Sequence, residues 1–201
     1  MHRPRLVDIL IPCKPFVDGK RRLSPVLSAP QREELCRAML ARTLDIVRAL
    51  DHRQLAVISD DPDVQAVALR HGATAITDEG HGLNAALNEG RARFRQKGND
   101  TSLLVLPIDL PDLDRDVLRM AVAADGDVVI ACDGREDGTN LLLLSGAARD
   151  LAFSFGPGSY QRHCAAARVA GFAVTTLRDP RLSFDIDQPQ DYAVWTARIS
   201  N

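Results

Sequence analysis

The sequence lacks the features that define several large classes of protein. It has four cysteines, widely spaced and without a Cys-x-x-Cys pair: Cys13, Cys36, Cys132 and Cys164. This spacing argues against a zinc site or a disulfide framework. No apolar run approaches the roughly 20 residues that a membrane-spanning helix requires, and the first residues, MHRPRLVD, lack the apolar segment of a signal peptide. These absences predict a cytoplasmic protein. A formal net charge of only −2 argues against binding to a membrane surface or to nucleic acid.

The chain also lacks the glycine patterns by which many nucleotide-binding proteins hold phosphates. A first strand is predicted at residues 6–11, and the segment PCKPFVDGKRRLSP that follows it, residues 12–25, fits neither the P-loop nor the Rossmann pattern. This segment contains three prolines, one glycine and four cations: Lys14, Lys20, Arg21 and Arg22. Guanidinium and ammonium groups bind phosphate by charge and by hydrogen bonds. We interpret the segment as a phosphate-binding loop that uses side chains, with a solvated basic loop as the alternative.

The stretch LLVLPIDLPD, residues 103–112, is the centre of the predicted fold. Its apolar run ends at Pro107 and is typical of a strand buried on both faces in the middle of a parallel sheet. Asp109 follows between Pro107 and Pro111, which stiffen the backbone on either side of it. A carboxylate at the carboxyl end of a central strand lies where open α/β sheets bind their ligands. On local sequence alone, Asp109 could equally cap the following turn.

Strand and helix patterns alternate along the chain and predict an α/β fold. Strands are predicted at residues 6–11, 55–58, 73–77, 103–106, 127–132, 141–144 and 172–177. Helices are predicted at residues 28–50, 62–71, 84–96, 114–124 and 160–170, with a last helix that opens at residue 188. A chain of 201 residues is long enough for one sizeable core, so a single domain over residues 1–201 is expected.

Two polar segments are candidate anion sites. In GREDGTN, residues 134–140, Thr139 and Asn140 stand at the start of a predicted strand, and a plain turn is the alternative. In FSFGPGSYQRH, residues 153–163, a compact turn precedes a predicted helix, where free backbone N–H groups and the hydroxyl of Ser159 are expected to bind an anion. His163 lies one turn into that helix, where it either donates to the anion or packs in the core.

A pair of aspartates, Asp185 and Asp187, lies in the segment LSFDID near the end of the chain. In an extended segment, residues two apart point the same way at a spacing of about 6–7 Å, which leaves Ile186 buried behind the two carboxylates. Clustered carboxylate oxygens suit Mg²⁺. A lone Asp-x-Asp pair is weak evidence, but together with Asp109 it predicts a three-carboxylate metal site.

These candidate groups suit one kind of chemistry. Cations for phosphates, carboxylates for Mg²⁺ and a second anion pocket together favour nucleotidyl transfer to an acidic acceptor. An acceptor that is itself a phosphate is already anionic at neutral pH. It needs no general base, and the sequence offers no convincing one.

Motifs along most of the chain resemble those of the CofC/FbiD guanylyltransferase family of deazaflavin coenzyme F-420 biosynthesis. They are PCKPFVDGKRRLSPVLS, GLN at residues 82–84, LPIDLP, GTN at residues 138–140, FGPGSY followed by His163, and FDID. They extend from residue 9 to about residue 192 in the expected order, and FGPGS with the paired aspartates is the most specific element. The resemblance implies a Rossmann-like nucleotidyltransferase fold with three α/β/α layers and a mostly parallel sheet. It also implies that GTP and Mg²⁺ are used to guanylylate a small phosphorylated three-carbon acid, with release of pyrophosphate.

The same resemblance implies roles for individual residues. The metal would be held by three carboxylates: Asp109, Asp185 and Asp187. The phosphate and carboxylate of the acceptor would be bound by Thr139, Gly156 and Ser159. The GTP phosphates would be bound by three cations, of which the two lysines also count as catalytic: Lys14, Lys20 and Arg22. Three further residues would lie near the nucleotide base: Gly82, Leu83 and Asn84.

Several choices stay open at the level of the sequence. The acceptor could be phosphoenolpyruvate, 2-phospho-L-lactate or 3-phospho-D-glycerate, which differ by a double bond, a methyl or a hydroxyl group. A homodimer and a functional link to the downstream transferase that consumes the guanosine-diphospho adduct are further expectations. The alternative functions are another MobA-like or sugar-phosphate nucleotidyltransferase, or a catalytically silent nucleotide-binding regulatory module.

Overall fold

The structure is a computed structural model that describes residues 5–95 and 101–199. Within these ranges the chain forms the strands β1 (Val7–Pro12), β2 (His52–Ile58), β3 (Thr74–Ile76), β4 (Ser102–Val105), β5 (Val128–Cys132), β6 (Thr139–Leu144) and β7 (Val174–Leu177). The α-helices are α1 (Ala29–Val47), α2 (Pro62–Arg70), α3 (Leu83–Arg95), α4 (Arg115–Ala123), α5 (Ser159–Val169), α6 (Pro180–Ser183) and α7 (Pro189–Ile199). Short 3₁₀ turns occur at Phe16–Asp18, Arg21–Leu23 and Gly146–Asp150.

The seven strands form one sheet in the order β3-β2-β1-β4-β6-β5-β7. Neighbouring strands pair in parallel, except that β6 runs antiparallel to both β4 and β5. The predicted mostly parallel sheet is therefore confirmed. Because β6 is reversed, its first residue, Thr139, lies at the edge of the sheet where the parallel strands end.

Helices cover both faces of the sheet. Alternate residues of a strand point to opposite faces, and Ile9 and Ile11 pack with α1, α2 and α4 while Leu10 packs with α3 and α5. Helix α3 lies very close to the sheet at Gly90, where an added Cβ would come within 2.7 Å of side-chain atoms of Ile58 and Leu10. The predicted three-layer α/β/α architecture is confirmed.

The predicted strands and long helices all occur, with described ends within three residues of the prediction. The two largest shifts are of three residues: α1 ends at Val47 rather than at residue 50, and β2 begins at His52 rather than at residue 55. The polar residues Arg53 and Gln54 belong to the strand because their side chains bond a carboxylate inside the sheet, that of Asp8. A pattern based on hydropathy alone misses such a strand end.

A few expectations concern residues outside the described ranges. The predicted end of α3 at Gln96 is one, and the predicted domain limits at residues 1 and 201 are two more. None of the described helices is both long and apolar enough to cross a membrane.

The residue that interrupts the apolar pattern of β1, Asp8, is fully buried. Its carboxylate accepts hydrogen bonds from Arg53 Nη2 at 2.6 Å, Thr101 Oγ1 at 2.6 Å and Arg149 Nη2 at 3.1 Å. Burial raises the pKa of Asp8, but the hydrogen bonds from Arg53 and Thr101 outweigh burial, so the pKa lies below its ordinary value. This ionised cluster joins β1, β2, the start of β4 and the turn after β6, at the edge of the sheet opposite to Thr139.

We predict that Asp8→Asn lowers the free energy of unfolding at pH 7 by about 3 kcal/mol, because it leaves the buried guanidinium group of Arg149 and the partly exposed one of Arg53 without their carboxylate. Urea unfolding measures this change, and Asp60→Asn at an exposed position is the control, expected within about 0.5 kcal/mol of wild type. A depressed pKa stabilises the fold above the pKa of the unfolded chain, about 3.9, and this contribution is lost as pH falls through the folded pKa. The difference in the free energy of unfolding between wild type and Asp8→Asn should therefore narrow below about pH 4. An undiminished difference would contradict the conclusion that Asp8 is ionised in this cluster.

Candidate active site

Three carboxylates from two distant parts of the chain meet at the carboxyl edge of the sheet. Asp109, Asp185 and Asp187 each place a carboxylate oxygen within 4.8 Å of the others. The backbone fixes this arrangement, since Ile186 N–H donates to the carbonyl of Asp109 at 3.1 Å. Ile186 is fully buried and packs with Leu23 and other apolar residues under the cluster. The predicted convergence of the three aspartates, with Ile186 behind them, is confirmed.

The ammonium group of Lys20 lies inside this cluster. Its Nζ is 2.8 Å from Asp109 Oδ2 and 2.8 Å from Asp187 Oδ1, and the side chain is 8% exposed. Lys20 adopts the left-handed backbone conformation with φ of 49°, which is uncommon for residues other than glycine. The preceding residue, Gly19, lies against α1 so closely that a Cβ there would come within 2.4 Å of Cys36 Sγ. Tight packing of the loop thus fixes the position of the lysine.

The electrostatics of the cluster favour a bound cation. Burial raises the pKa of Asp185 to about 6, and the charges of Asp109 and Asp187 add to that effect. Burial also raises the pKa of Asp187, but Lys20 lowers it to below the ordinary value. Burial lowers the pKa of Lys20, but Asp109 and Asp187 together raise it by more, so the pKa lies above its ordinary value. One ammonium thus faces three carboxylates, and this set of oxygen donors fits a hard divalent cation.

The structure places the four cations of the basic loop in two different environments. Arg22 Nη1 is 3.8 Å from Asp187 Oδ2, and the charge of Lys14 helps to lower the pKa of Asp187, although burial and Lys20 have the larger effects. Arg21 instead pairs with Asp18 at the surface. Lys20 and Arg22 therefore face the carboxylates, and Lys14 acts on them through its charge.

The segment FGPGS forms a loop before α5, on the other side of the start of β6. The structure contradicts the prediction of free N–H groups at the start of this helix, because three of them are bonded within the protein. Gly158 N–H donates to Asp137 Oδ1 at 3.0 Å, Ser159 N–H to the carbonyl of Gly156 at 3.0 Å, and Tyr160 N–H to the carbonyl of Asp137 at 3.0 Å. The physical reason is that the loop between β5 and β6 folds over the end of the helix.

The start of α5 lies one residue before the predicted start at residue 160. Gly158 is the N-cap, with φ of 69°, and Ser159 is the first helical residue. Ser159 and Thr139 are both buried. In the described part of the chain no hydrogen bond of the protein uses the N–H of Gly156. The groups available to an anion therefore include this amide and the two hydroxyls, whereas the amides of Gly158, Ser159 and Tyr160 are already bonded.

His163 is fully buried in α5. Its Nδ1 is 3.1 Å from Thr139 Oγ1, and its Nε2 is 2.9 Å from the backbone nitrogen of Ser154. Burial, with a smaller effect from the charge of Arg162, lowers the pKa of His163 to about 4. The prediction that His163 donates directly to an anion is wrong because both ring nitrogens are used within the protein, and the packed position is correct.

The motif GLN at the start of α3 reaches the same loop. Asn84 Oδ1 accepts from Phe155 N–H at 2.8 Å, and Asn84 Nδ2 donates to the Phe155 carbonyl at 3.2 Å. Gly82 has φ of 90°, a conformation that favours glycine, and Leu83 is partly exposed. Asn84 thus holds the FGPGS loop, a contact across 71 residues that nothing in the local sequence indicates.

Asn140 lies between the two halves of the site. Its Nδ2 donates to the Leu182 carbonyl at 3.0 Å and is 3.5 Å from Asp185 Oδ1, while the preceding residue, Thr139, contacts His163. Adjacent residues of a strand point in opposite directions. The start of β6 therefore faces the carboxylate cluster on one side and the FGPGS loop on the other.

The fold and this site define the class of protein. A protein of Desulfovibrio desulfuricans described as a nucleotide-diphospho-sugar transferase superposes with a TM-score of 0.80 at 18% identity, covering 97% of this chain and 88% of the other. A nucleotidyl transferase of Methanothermobacter superposes with a TM-score of 0.66 at 16% identity, covering 98% and 99%. At such identities the likeness concerns the fold, and this fold is that of nucleotidyltransferases.

The chain belongs to the family described as guanylyl transferase CofC like, whose model matches residues 7–195. It is 41% identical over 190 residues to a phosphoenolpyruvate guanylyltransferase of Rubrobacter xylanophilus, covering 93% of this chain and 92% of the relative. It is 36% identical over 176 residues to a 2-phospho-L-lactate guanylyltransferase of Halomicrobium mukohataei, covering 88% and 79%. The predicted family is confirmed, and the protein is a nucleotidyltransferase enzyme.

We predict that Lys20→Met lowers the free energy of unfolding by about 2 kcal/mol in the presence of a chelator, because two carboxylates lose a charged hydrogen-bond donor. Added Mg²⁺ should raise the melting temperature of the variant more than that of wild type, because no ammonium competes for the same oxygens. Thermal unfolding measures both effects. Arg21→Met, which removes a cation that does not contact the cluster, is the control. Equal stabilisation of wild type and Lys20→Met by Mg²⁺ would show that the lysine and the cation do not share a site.

Proposed function

We propose that this enzyme transfers GMP from GTP to the phosphate of a small three-carbon phospho-acid in coenzyme F-420 biosynthesis, with release of pyrophosphate. The observation that carries the proposal is the position of the start of β6, where Asn140 faces Asp185 and Thr139 bonds His163, which in turn bonds Ser154 just before the FGPGS loop. A site for metal and triphosphate thus adjoins a pocket for a second anion. Family membership supports guanylyl transfer. The Rubrobacter relative supports phosphoenolpyruvate as the first acceptor to test, and the Halomicrobium relative supports 2-phospho-L-lactate as the second.

In the proposed reaction, an oxygen of the acceptor phosphate attacks the α-phosphorus of GTP. A new P–O–P linkage forms, the bond between the α-phosphorus and the bridging oxygen to the β-phosphate breaks, and pyrophosphate leaves in line. The acceptor oxygen already carries negative charge, so no side chain needs to remove a proton from it. The lack of need for a base agrees with the state of the buried His163, whose two ring nitrogens both bond protein groups.

The residues of the site have separate tasks in this proposal. Mg²⁺ is the proposed metal, held by the cluster of Asp109, Asp185 and Asp187, and when bound it offsets the charge that develops on the phosphate oxygens. The GTP phosphates are bound by the cations of the basic loop: Lys14, Lys20 and Arg22. Lys20 lies between two carboxylates, so it is within reach of a phosphate held by the same metal.

The acceptor and the base occupy the other side. The acceptor is bound by the N–H of Gly156 and the hydroxyls of Thr139 and Ser159. The guanine base lies near Gly82 and Leu83, two exposed residues at the entry of α3. Asn84 contributes by fixing the loop at Phe155, which couples the base and acceptor regions.

The test is pyrophosphate release with GTP and Mg²⁺ and, in parallel, phosphoenolpyruvate, 2-phospho-L-lactate and 3-phospho-D-glycerate. ATP and CTP are the nucleotide controls, and the downstream transferase with its deazaflavin acceptor removes the adduct as it forms. Release that requires GTP, Mg²⁺ and one acid together is expected. Absence of release in every combination, with GTP still bound, would favour a regulatory nucleotide-binding module instead.

We predict that Asp109→Asn and Asp187→Asn each lower kcat at least about 100-fold, because each removes a charged oxygen donor from the cluster. The variants should stay folded, since the change adds or removes no bulk. Asp112→Asn is the matched control: it is three residues from Asp109 and pairs with Arg198 at the surface. Rates similar to wild type in both cluster variants at ordinary Mg²⁺ concentration would refute the metal assignment.

We predict that Ser159→Ala raises the KM for the acceptor about tenfold and leaves the KM for GTP nearly unchanged, because a hydrogen bond to an anion is lost. Ser154→Ala, five residues earlier, is the control, since the described contacts of Ser154 are made by its backbone. Equal increases in both KM values would move Ser159 out of the acceptor pocket.

A further inference from the structure

The imidazole of His163 is held in one orientation by groups on three sides. Its two ring nitrogens bond Thr139 at 3.1 Å and Ser154 at 2.9 Å. The ring of Phe155 meets it edge-on with 5.0 Å between centroids. His163 therefore connects the start of β6 to the beginning of the FGPGS loop, the two segments that supply the acceptor pocket.

The hydrogen bond to Ser154 determines which nitrogen carries the proton. A backbone N–H can only donate, so Nε2 of His163 must accept and is unprotonated. With the pKa lowered to about 4 by burial, the ring is neutral at cellular pH, and its one proton is on Nδ1. Nδ1–H then donates to Thr139 Oγ1, the only polar atom described within hydrogen-bonding distance of it.

The direction of the hydrogen bond from His163 determines whether the hydroxyl of Thr139 can donate to a ligand. A hydroxyl is one donor and also an acceptor. If the histidine carried its proton on Nε2, Thr139 would have to donate to Nδ1 and would present only lone pairs to a neighbouring anion. Because the hydroxyl accepts from His163 instead, its own hydrogen stays available, and an anion requires donors.

We propose that His163 is a positioning residue that, by donating from Nδ1 to Thr139, directs the threonine hydroxyl hydrogen to the anionic acceptor. This assignment rests on the proposed function, because it takes the acceptor pocket to lie at Thr139. It gives the buried histidine a role in acceptor affinity without contact with the substrate. The effect belongs to acceptor binding and not to GTP binding, since the cations and carboxylates lie on the other side of β6.

His163 also supports the loop through Ser154, so the test must separate the two hydrogen bonds. His163→Asn places an amide nitrogen near the position of Nδ1 and keeps the donor to Thr139, but it lacks an acceptor for Ser154. His163→Gln places an amide oxygen near the position of Nε2 and keeps the acceptor for Ser154, but it loses the Nδ1 donor. The two variants are thus matched controls for each other.

The kinetic experiment measures pyrophosphate release by both variants over ranges of GTP and acceptor. We expect His163→Gln to raise the acceptor KM about tenfold with the GTP KM unchanged, and His163→Asn to recover most of that loss. In a Thr139→Val background, His163→Gln should cause little further change, because the two residues act through one hydrogen bond. Equal effects of both variants on both KM values, or an undiminished effect of His163→Gln in the Thr139→Val background, would overturn the assignment.

A spectroscopic measurement on the wild-type protein tests the proton position independently of how the variants fold. The ¹⁵N chemical shifts of the His163 ring should show a protonated Nδ1 and an unprotonated Nε2 throughout about pH 5.5 to 8. The opposite tautomer would overturn the assignment. No pyrophosphate release by wild type with any of the three acids overturns the proposed function and this role together. Release by wild type that His163→Gln leaves unchanged overturns this role alone.

Discussion

The contact of one ammonium with two carboxylates is the interaction on which the rest of the site depends. Asp109 follows β4 and Asp187 follows α6, and both meet Lys20, from the loop after β1, at 2.8 Å. Burial raises the pKa of Asp185, and repulsion from the like charges of Asp109 and Asp187 adds to that effect. These carboxylates therefore favour a cation between them, and Lys20 supplies one. Its strained backbone and the tight packing at Gly19 keep it there.

The reversal of β6 is the second constraint. In a fully parallel sheet, the start of that strand would lie at the opposite edge from the ends of β1 and β4. Because β6 is antiparallel, Thr139 and Asn140 lie beside the carboxylates instead. The opposite edge has its own charged group, Asp8, whose buried ion pairs tie four segments together. The residues of the candidate site thus lie at the edge where the parallel strands end, and the Asp8 cluster that stabilises the fold lies at the opposite edge.

Much of the fold and part of the site could be predicted from the sequence. The strands follow from apolar runs and the caps from short motifs such as Ser28 with Gln31. The convergence of Asp109 with the late aspartates could be expected, because polar residues after parallel strands meet at one edge. The bonding of the Gly158 and Tyr160 amides at the start of α5 could not be predicted, since Asp137, which accepts from both, belongs to another loop. The bonds of Asn84 to Phe155 likewise join residues that no local pattern relates.

The sequence by itself determined the layers of this protein, the family to which it belongs and the residue types of its site, since periodicity, proline positions and short motifs are local properties. Only the tertiary structure decided which groups are free to act. Hydrogen bonds are saturable, so a donor that looks available in the sequence is lost once another segment supplies its acceptor, as at Gly158. The direction of a hydrogen bond is decided in the same way. The N–H of Ser154 determines which nitrogen of His163 holds the proton, and thereby whether the hydroxyl of Thr139 can donate to a ligand.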